Sequence, residues 1–183
     1  AKKYGVELLV CSSLNRNSGT MVREKTKMEK MLISGVAADK NVAKIRVAGL
    51  GNDPESTFRL LNLLDRNNLN IDVMIQSLGK DGTKSVSFTV AKPDMLRTID
   101  VLNDNKDSLG IKKLDYDENV AKISVIGAGV RSHSGVAAKM FGALANAGIN
   151  TEMITTSEIR ITALIDEAYA DQAMRAIHET FLE

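Results

Sequence analysis

The sequence is poor in the features on which several classes of protein depend. Aromatic residues make up only 4% of its 183 residues, and the formal net charge is +1. A nucleic-acid partner is therefore not expected, since neither a basic surface nor rings for base stacking are plentiful. No apolar run approaches the ~18 residues that a membrane span requires. We expect no membrane association and no signal peptide.

Residues that carry chemistry are equally scarce. The one cysteine, Cys11, has no intramolecular partner and lies in an apolar run, which predicts a buried, reduced thiol in a cytoplasmic protein. No set of Cys, His, Asp or Glu has metal-ligand spacing, so no metal site is expected. Ser132, His133 and Ser134 lie at a predicted loop-to-helix junction, where such residues are typical caps. We therefore predict no catalytic residue in this chain.

The main feature that is present is an internal repeat. Residues 42–51 read VAKIRVAGLG, and residues 120–129 read VAKISVIGAG. Each copy leads through a polar turn into an amphipathic helix and then into a second apolar strand. The match extends to residues 67–72 and 147–152, with two extra residues in the first loop of the second copy. A duplication of this size predicts two small domains.

The first copy, residues 42–117, is predicted to be a βαββαβ unit. A cap, a proline and an acid at residues 52–55 favour a helix start there. A hairpin turn is predicted at Asp81 and Gly82. The predicted strands cover residues 42–48, 69–78, 85–91 and 111–116. The side chains expected to face the core from the two helices are Phe58, Leu61, Leu64, Met95, Ile99 and Leu102.

The second copy stops one strand early. Its predicted strands are 120–126, 149–156 and 159–165, and its first helix should bury Val136, Met140 and Leu144. A missing fourth strand leaves an unpaired apolar edge, which proteins usually cover. The spare apolar segment 31–37, followed by a predicted turn at 39–41, is the natural donor. The predicted organisation is an N-terminal strand and linker (1–30), a first domain (42–117) and a second domain (31–41 with 118–183).

Glycine-containing loops follow the first strand of each copy. A dinucleotide fingerprint is excluded, because its third glycine would fall at Pro54 and Ser132, and no P-loop occurs. Free amides at a helix start attract a carboxylate. Strand-end carbonyls and nearby polar side chains suit an ammonium group, with Asn70 and Gln76 in the first copy and Asn150 and Thr156 in the second. An amino-acid ligand carries both a carboxylate and an ammonium group. Ordinary turn and cap residues explain the same pattern, and the residues alone leave the two alternatives open.

Two stretches carry a resemblance to a known family. Residues 127–136, GAGVRSHSGV, and 148–161, GINTEMITTSEIRI, resemble the tandem ACT domains of aspartate kinase. In that family they form a regulatory region, which some bacteria make as a separate β subunit. The resemblance implies an α+β fold of two ferredoxin-like βαββαβ ACT domains. The first is inserted between the N-terminal strand and the remainder of the second, in agreement with the strand count.

The resemblance also implies a function. The chain would be the regulatory part of an ATP-dependent aspartate kinase, with feedback inhibition by threonine and/or lysine bound where ACT domains pair. ATP and Mg²⁺ would act in the catalytic domain, which this chain lacks. The implied partners are a second copy of the chain, forming a homodimer, and a catalytic domain or α subunit. The alternative is a structural dimerisation module that binds no ligand in the first domain.

The family's effector-binding positions can be matched residue by residue. In the first domain they are Gly51, Asn52, Asp53, Pro54, Glu55, Ser56, Asn70, Ile71 and Gln76. In the second domain they are Ser132, His133, Ser134, Gly135, Val136, Asn150, Thr151, Ser157 and Glu158. Related sequences often have Asp where this chain has Asn52, and Pro-Gly where it has Pro54 and Glu55. A short polar pocket between Asn52 and Glu55 slightly favours threonine over lysine.

Overall fold

The computed structural model describes residues 8–10, 20–22, 33–132 and 135–182, in two compact units that divide between Leu32 and Ile33. In the first unit, strands β1 (Leu8–Val10) and β2 (Thr20–Val22) pair antiparallel. The sequence analysis predicted a strand near β1 and missed β2. Cys11 and residues 23–30 of the predicted N-terminal strand and linker lie outside the described residues.

The second unit is built on a six-stranded antiparallel sheet. Its order is β4-β5-β3-β6-β8-β7. The strands are β3 (Gly35–Leu50), β4 (Met74–Leu78), β5 (Lys84–Ala91), β6 (Lys113–Ile126), β7 (Met153–Thr156) and β8 (Arg160–Asp166). The two edge strands, β4 and β7, start later than the predicted residues 69 and 149. Residues 69–73 and 149–152 make isolated backbone hydrogen bonds to the neighbouring strands and do not form a continuous ladder with them.

The two central strands are longer than predicted. β3 has 16 residues and β6 has 14, and each joins two segments that the sequence analysis separated. The predicted turn at residues 39–41 is wrong. The β3–β6 pairing shifts register between Asp39 and Val42 and again between Val42 and Lys44. Because the ladder resumes on both sides, the extra residues are absorbed as bulges within continuous strands.

The long strands confirm the inserted topology. Residues 35–39 of β3 pair with residues 122–126 of β6, whose other neighbour is β8. They therefore occupy the position of the fourth strand that the second repeat lacks. Each half of the sheet has the ferredoxin-like strand order, as predicted. The domain boundaries stay a prediction, since β3 and β6 pass from one half to the other without a break.

The first repeat carries helix α1 (Pro54–Arg66), a 3-10 turn at Lys92–Asp94, α2 (Met95–Asp104) and the short α3 (Lys106–Leu109). Met95, Ile99 and Leu102 are buried, as predicted. The predicted inner face of α1 is wrong at one position, because Phe58 is 64% exposed. Ser56, Leu60 and Leu64 are the buried residues of α1 and follow a four-residue spacing along one face.

The second repeat carries α4 (Gly129–Ser132), α5 (Gly135–Asn146), a 3-10 turn at Glu167–Tyr169 and α6 (Ala170–Leu182). The short α4 was not predicted. Val136, Met140 and Leu144 are buried on α5, in agreement with the helical spacing. Among the described residues, no helix has the length and apolar character that crossing a membrane would need.

Each repeat has its own core between its helices and one face of its half of the sheet. Phe88 and Leu60 lie in the first core, and Ile123 and Met140 lie in the second. A third, smaller cluster contains Val42, Val73, Val120, Met153 and Leu164. The chain neighbours of its strand residues, such as Ala43 and Ala121, belong to the two main cores. The third cluster therefore lies on the helix-free face and joins the two repeats.

Candidate functional site

The first candidate site is the loop of residues 51–56 at the start of α1. Asp53 is the N-cap, and its Oδ1 accepts the backbone N–H of Glu55 and Ser56 at 2.9 Å each. The Ser56 hydroxyl also donates to this carboxylate. Pro54 has no N–H to offer. The first helix amides, expected to be free for a ligand carboxylate, are therefore already taken by the chain's own acid.

These contacts also set the charge of Asp53. The hydrogen bond from the Ser56 hydroxyl, together with those from the backbone, holds the pKa of Asp53 below its ordinary value. The carboxylate is therefore ionised at neutral pH. With Glu55 exposed beside it, the loop presents two negative charges to solvent.

Two strands bring further polar groups to this loop. Thr57 Oγ1 donates to Gln76 Oε1 at 2.6 Å, which joins α1 to β4. Lys84 Nζ donates to the backbone oxygen of Asp53 at 2.7 Å, from the start of β5. The sequence analysis named Gln76 and missed Thr57 and Lys84. The hairpin register that pairs Leu78 with Lys84 is a signal that places Lys84 at this end of the sheet.

Asn70 and Ile71 lie at the other end of α1. The helix spans 13 residues, and Leu69 donates its N–H to Leu64 after the helix has ended. At ~1.5 Å per residue, the two ends are about 20 Å apart. Asn70 is exposed, and Ile71 packs partly against the first core. The structure does not bring these residues together with residues 51–56 of the same repeat.

The second candidate site is arranged in the same way. Asn150 and Thr151 follow the end of α5, where Ile149 donates its N–H to Leu144 at 2.9 Å. Gly135 and Val136 open α5 at its opposite end, and the Val136 side chain is buried in the second core. A ligand there could meet only its backbone. His133 and Ser134 lie outside the described residues, as does the side chain of Ser132.

The turn between β7 and β8 reaches the loop of the second repeat. Ser157 closes this turn by donating its N–H to the Arg160 oxygen at 2.7 Å. Glu158 Oε1 lies 3.0 Å from Nη1 of Arg131 in α4, and both side chains are 71% exposed. The sequence analysis named Ser157 and Glu158 and missed Arg131. A tertiary ion pair of this kind leaves no local sequence signal.

A groove of about 460 Å³ lies on the helix-free face and is lined by residues of both repeats. Lys122 and Arg160 contribute positive charge to its walls, and Asp39 and Asp72 contribute negative charge. Of the predicted site residues that the structure describes, only Ser157 lines it. Within the described ranges, no three His, Cys, Asp or Glu side chains are grouped as metal ligands would be.

Comparison with known proteins identifies the fold family. A model of the ACT domain family matches residues 123–181. The chain is 33% identical to the ligand-free regulatory subunit of aspartate kinase from Thermus thermophilus. That match covers 82% of this chain and 99% of the subunit, with a TM-score of 0.77. A crystal structure of aspartokinase alpha and beta subunits is 42% identical over 81% of this chain and 98% of the matched chain, with a TM-score of 0.76.

Curated relatives extend the match along the chain. The aspartokinases of Pseudomonas aeruginosa and Helicobacter pylori are 37% and 40% identical over 99% of this chain. The chain spans 45% of the length of each. The sheet order and the repeated loop before each first helix define a protein with two ACT domains. The chain belongs to the aspartate kinase family and corresponds to the regulatory ACT region of its members.

Proposed function

We propose that this chain senses an end-product amino acid and controls the aspartate-phosphorylating part of an aspartate kinase. The observation that carries the proposal is the match to regulatory subunits over nearly their whole length. The chain itself carries no catalytic residue in this proposal. ATP and Mg²⁺ act in the catalytic domain or α subunit, and the assembly works in the cytoplasm.

The proposed site lies between two chains. Within one chain, residues 51–56 and the strand start at Asn70 are about 20 Å apart, as the length of α1 requires. A compact α-amino acid is too small to contact both. We therefore place the site between the loop of one chain and the region 150–158 of another.

The charges around residues 51–56 suggest how the ligand is held. Asp53 and Glu55 offer carboxylates to its ammonium group, and the Lys84 ammonium lies beside the Asp53 backbone. Because Asp53 occupies the amides of Glu55 and Ser56, the ligand carboxylate has the remaining loop amides and Lys84. Threonine fits this short polar space better than lysine and is our first candidate, with lysine second.

Exposed sheet edges support a homodimer. β4 and β7 are the outer strands of the six-stranded sheet and carry exposed apolar residues at equivalent positions of the two repeats, Met74 (41%) and Ile154 (44%). Leu78, also on β4, is 62% exposed. Such edges favour pairing with another strand. A symmetric pair of chains would cover the edge strands β4 and β7 and complete the proposed sites between two chains.

Titration calorimetry of the chain with threonine and with lysine tests the proposal. We expect binding to at least one of them, and Gln76→Ala should weaken it by about 1–3 kcal/mol, because a buried ligand group loses its partner. Gln172→Ala is the matched control, since Gln172 is exposed on α6 and also makes one hydrogen bond, to the Ala147 oxygen. An intact dimer that gives no heat with either amino acid would favour the structural dimerisation module.

A further inference from the structure

Two ion pairs cross between the repeats at equivalent positions. Lys44 and Lys122 hold the same place in the two copies of VAKI, and Asp72 and Glu152 hold the same place before β4 and β7. The Lys44 ammonium pairs with Glu152, and the Lys122 ammonium pairs with Asp72. Each pair therefore connects a central strand of one repeat to the edge-strand start of the other.

The surroundings of the pairs strengthen this connection. The Lys122 side chain is only 12% exposed and also lies 3.2 Å from Asp39 Oδ2. The third apolar cluster contains Val42 and Val120, two residues before each lysine, and Val73 and Met153, one residue after each acid. The two lysines are partly buried beside apolar side chains, which reduces solvent screening on their side of each pair, whereas Asp72 is 55% exposed.

The acids are held to their strand starts by the backbone. Asp72 donates its N–H to the Thr89 oxygen at 3.1 Å, and Glu152 donates to the Leu164 oxygen at 2.8 Å. Ile71 and Thr151, which precede them, are predicted effector-binding residues. A change in the position of either strand start must therefore move an acid whose partner lysine belongs to the opposite repeat.

We propose that each crossed pair couples the edge-strand start of one repeat to the central strand of the other. Ordering of the strand start in one repeat steadies the lysine in the central strand of the other, and the symmetric pair acts in the reverse direction. Within each pair the effect is mutual, because a coupling between two groups is thermodynamically reciprocal. The regulatory meaning of this coupling rests on the proposed function, because each pair ties a strand start beside a predicted effector-binding residue to the opposite repeat.

Hydrogen exchange of the 183-residue chain without ligand tests the coupling. Lys44→Met should speed exchange of the Glu152 amide by about three- to tenfold and leave the Asp72 amide within about twofold. Lys122→Met should produce the converse pattern. Lys113→Met is the matched control, since Lys113 pairs with Asp115 of the same strand at 2.8 Å and should change neither amide.

Milder and reversed variants complete the test. Glu152→Gln keeps the side-chain volume and should reproduce the effect of Lys44→Met even if that variant folds poorly. Lys44→Glu combined with Glu152→Lys should restore slow exchange. Faster exchange confined to the mutated lysine's own repeat, equal acceleration in both repeats, or no change would overturn the coupling. Absent amino-acid binding with the crossed exchange pattern intact would instead count against the proposed function alone.

Discussion

The two repeats begin their first helices in different ways. Asp53 caps α1 in the first repeat and occupies the amides of Glu55 and Ser56. In the second repeat, counting back from the buried Val136, the position that matches Asp53 holds His133. Residues 129–136, GVRSHSGV, contain no acid, whereas residues 51–56, GNDPES, contain two acids and no base. The same fold therefore presents loops of opposite charge, and duplication has not produced two equivalent loops.

The difference has a consequence for a zwitterionic ligand. An acidic loop favours an ammonium group, and a loop with Arg131 favours a carboxylate. In the proposed two-chain site, Arg131 lies beside Glu158 of the region 150–158, so a ligand there could meet both charges. If the repeats share their architecture, changes to equivalent core residues should have similar effects in both. Changes at the two helix starts should have different effects.

The largest effect is expected from removing the shared fourth strand. Deleting residues 1–38 takes away nearly all of the segment of β3 that pairs with residues 122–126, so the second core should lose its cooperative unfolding. Circular dichroism during heating is the measurement. Deleting only residues 1–30 keeps this segment and serves as the control. A deletion to residue 38 that still unfolds cooperatively would contradict the inserted topology.

Equivalent core residues should have similar large effects in both repeats. Leu60 and Met140 occupy matching helix positions and are fully buried. Leu60→Ala and Met140→Ala should each lower the free energy of unfolding by about 2–5 kcal/mol, because each leaves a cavity. Phe58→Ala, on the exposed side of α1, should change it by no more than about 0.5 kcal/mol. Urea denaturation checks the values, and a costly Phe58→Ala would restore the sequence-based assignment of this face.

The Asp53 cap should make stability depend on pH in the first repeat. The folded-state pKa of Asp53 is below its unfolded value of about 3.8, so its contribution is complete above that pH and is lost as pH falls through the folded pKa. Asp53→Ala should therefore lower the urea midpoint at pH 7, and the loss should shrink at pH 3 and below. Asn52→Ala is the neighbouring control, and His133→Ala should show no similar acid-dependent loss.

The smallest effect is expected at the exposed ion pair of the second repeat. Arg131 and Glu158 are both 71% exposed, so Arg131→Gln should cost no more than about 1 kcal/mol of stability. High salt should remove the difference between the variant and the wild type. A loss that persists in high salt would show that Arg131 holds the loop by packing as well as by charge.

Several features could be predicted because they depend on neighbours in the chain. The hairpin at Gly82, which has φ +75°, and the cap at Asp53 and Pro54 follow from local turn and cap chemistry. The buried faces of α2 and α5 follow from helical periodicity. The amino-acid sequence alone also shows the duplication and the strand that its second copy lacks. The effector-binding residues stay a prediction.

The sequence by itself determined the repeat, the order of strands and main helices within each copy, and the family resemblance. Tertiary structure decided which face of α1 is buried, since helical spacing accepts Phe58 with Leu61 as readily as Leu60 with Leu64. It also decided that β3 and β6 run continuously through their bulges, because only a partner strand can hold the ladder across residues 39–42. Lys44 and Glu152 lie 108 residues apart, and no local pattern pairs them. Their contact exists because the folded sheet brings the two repeats together on its helix-free face.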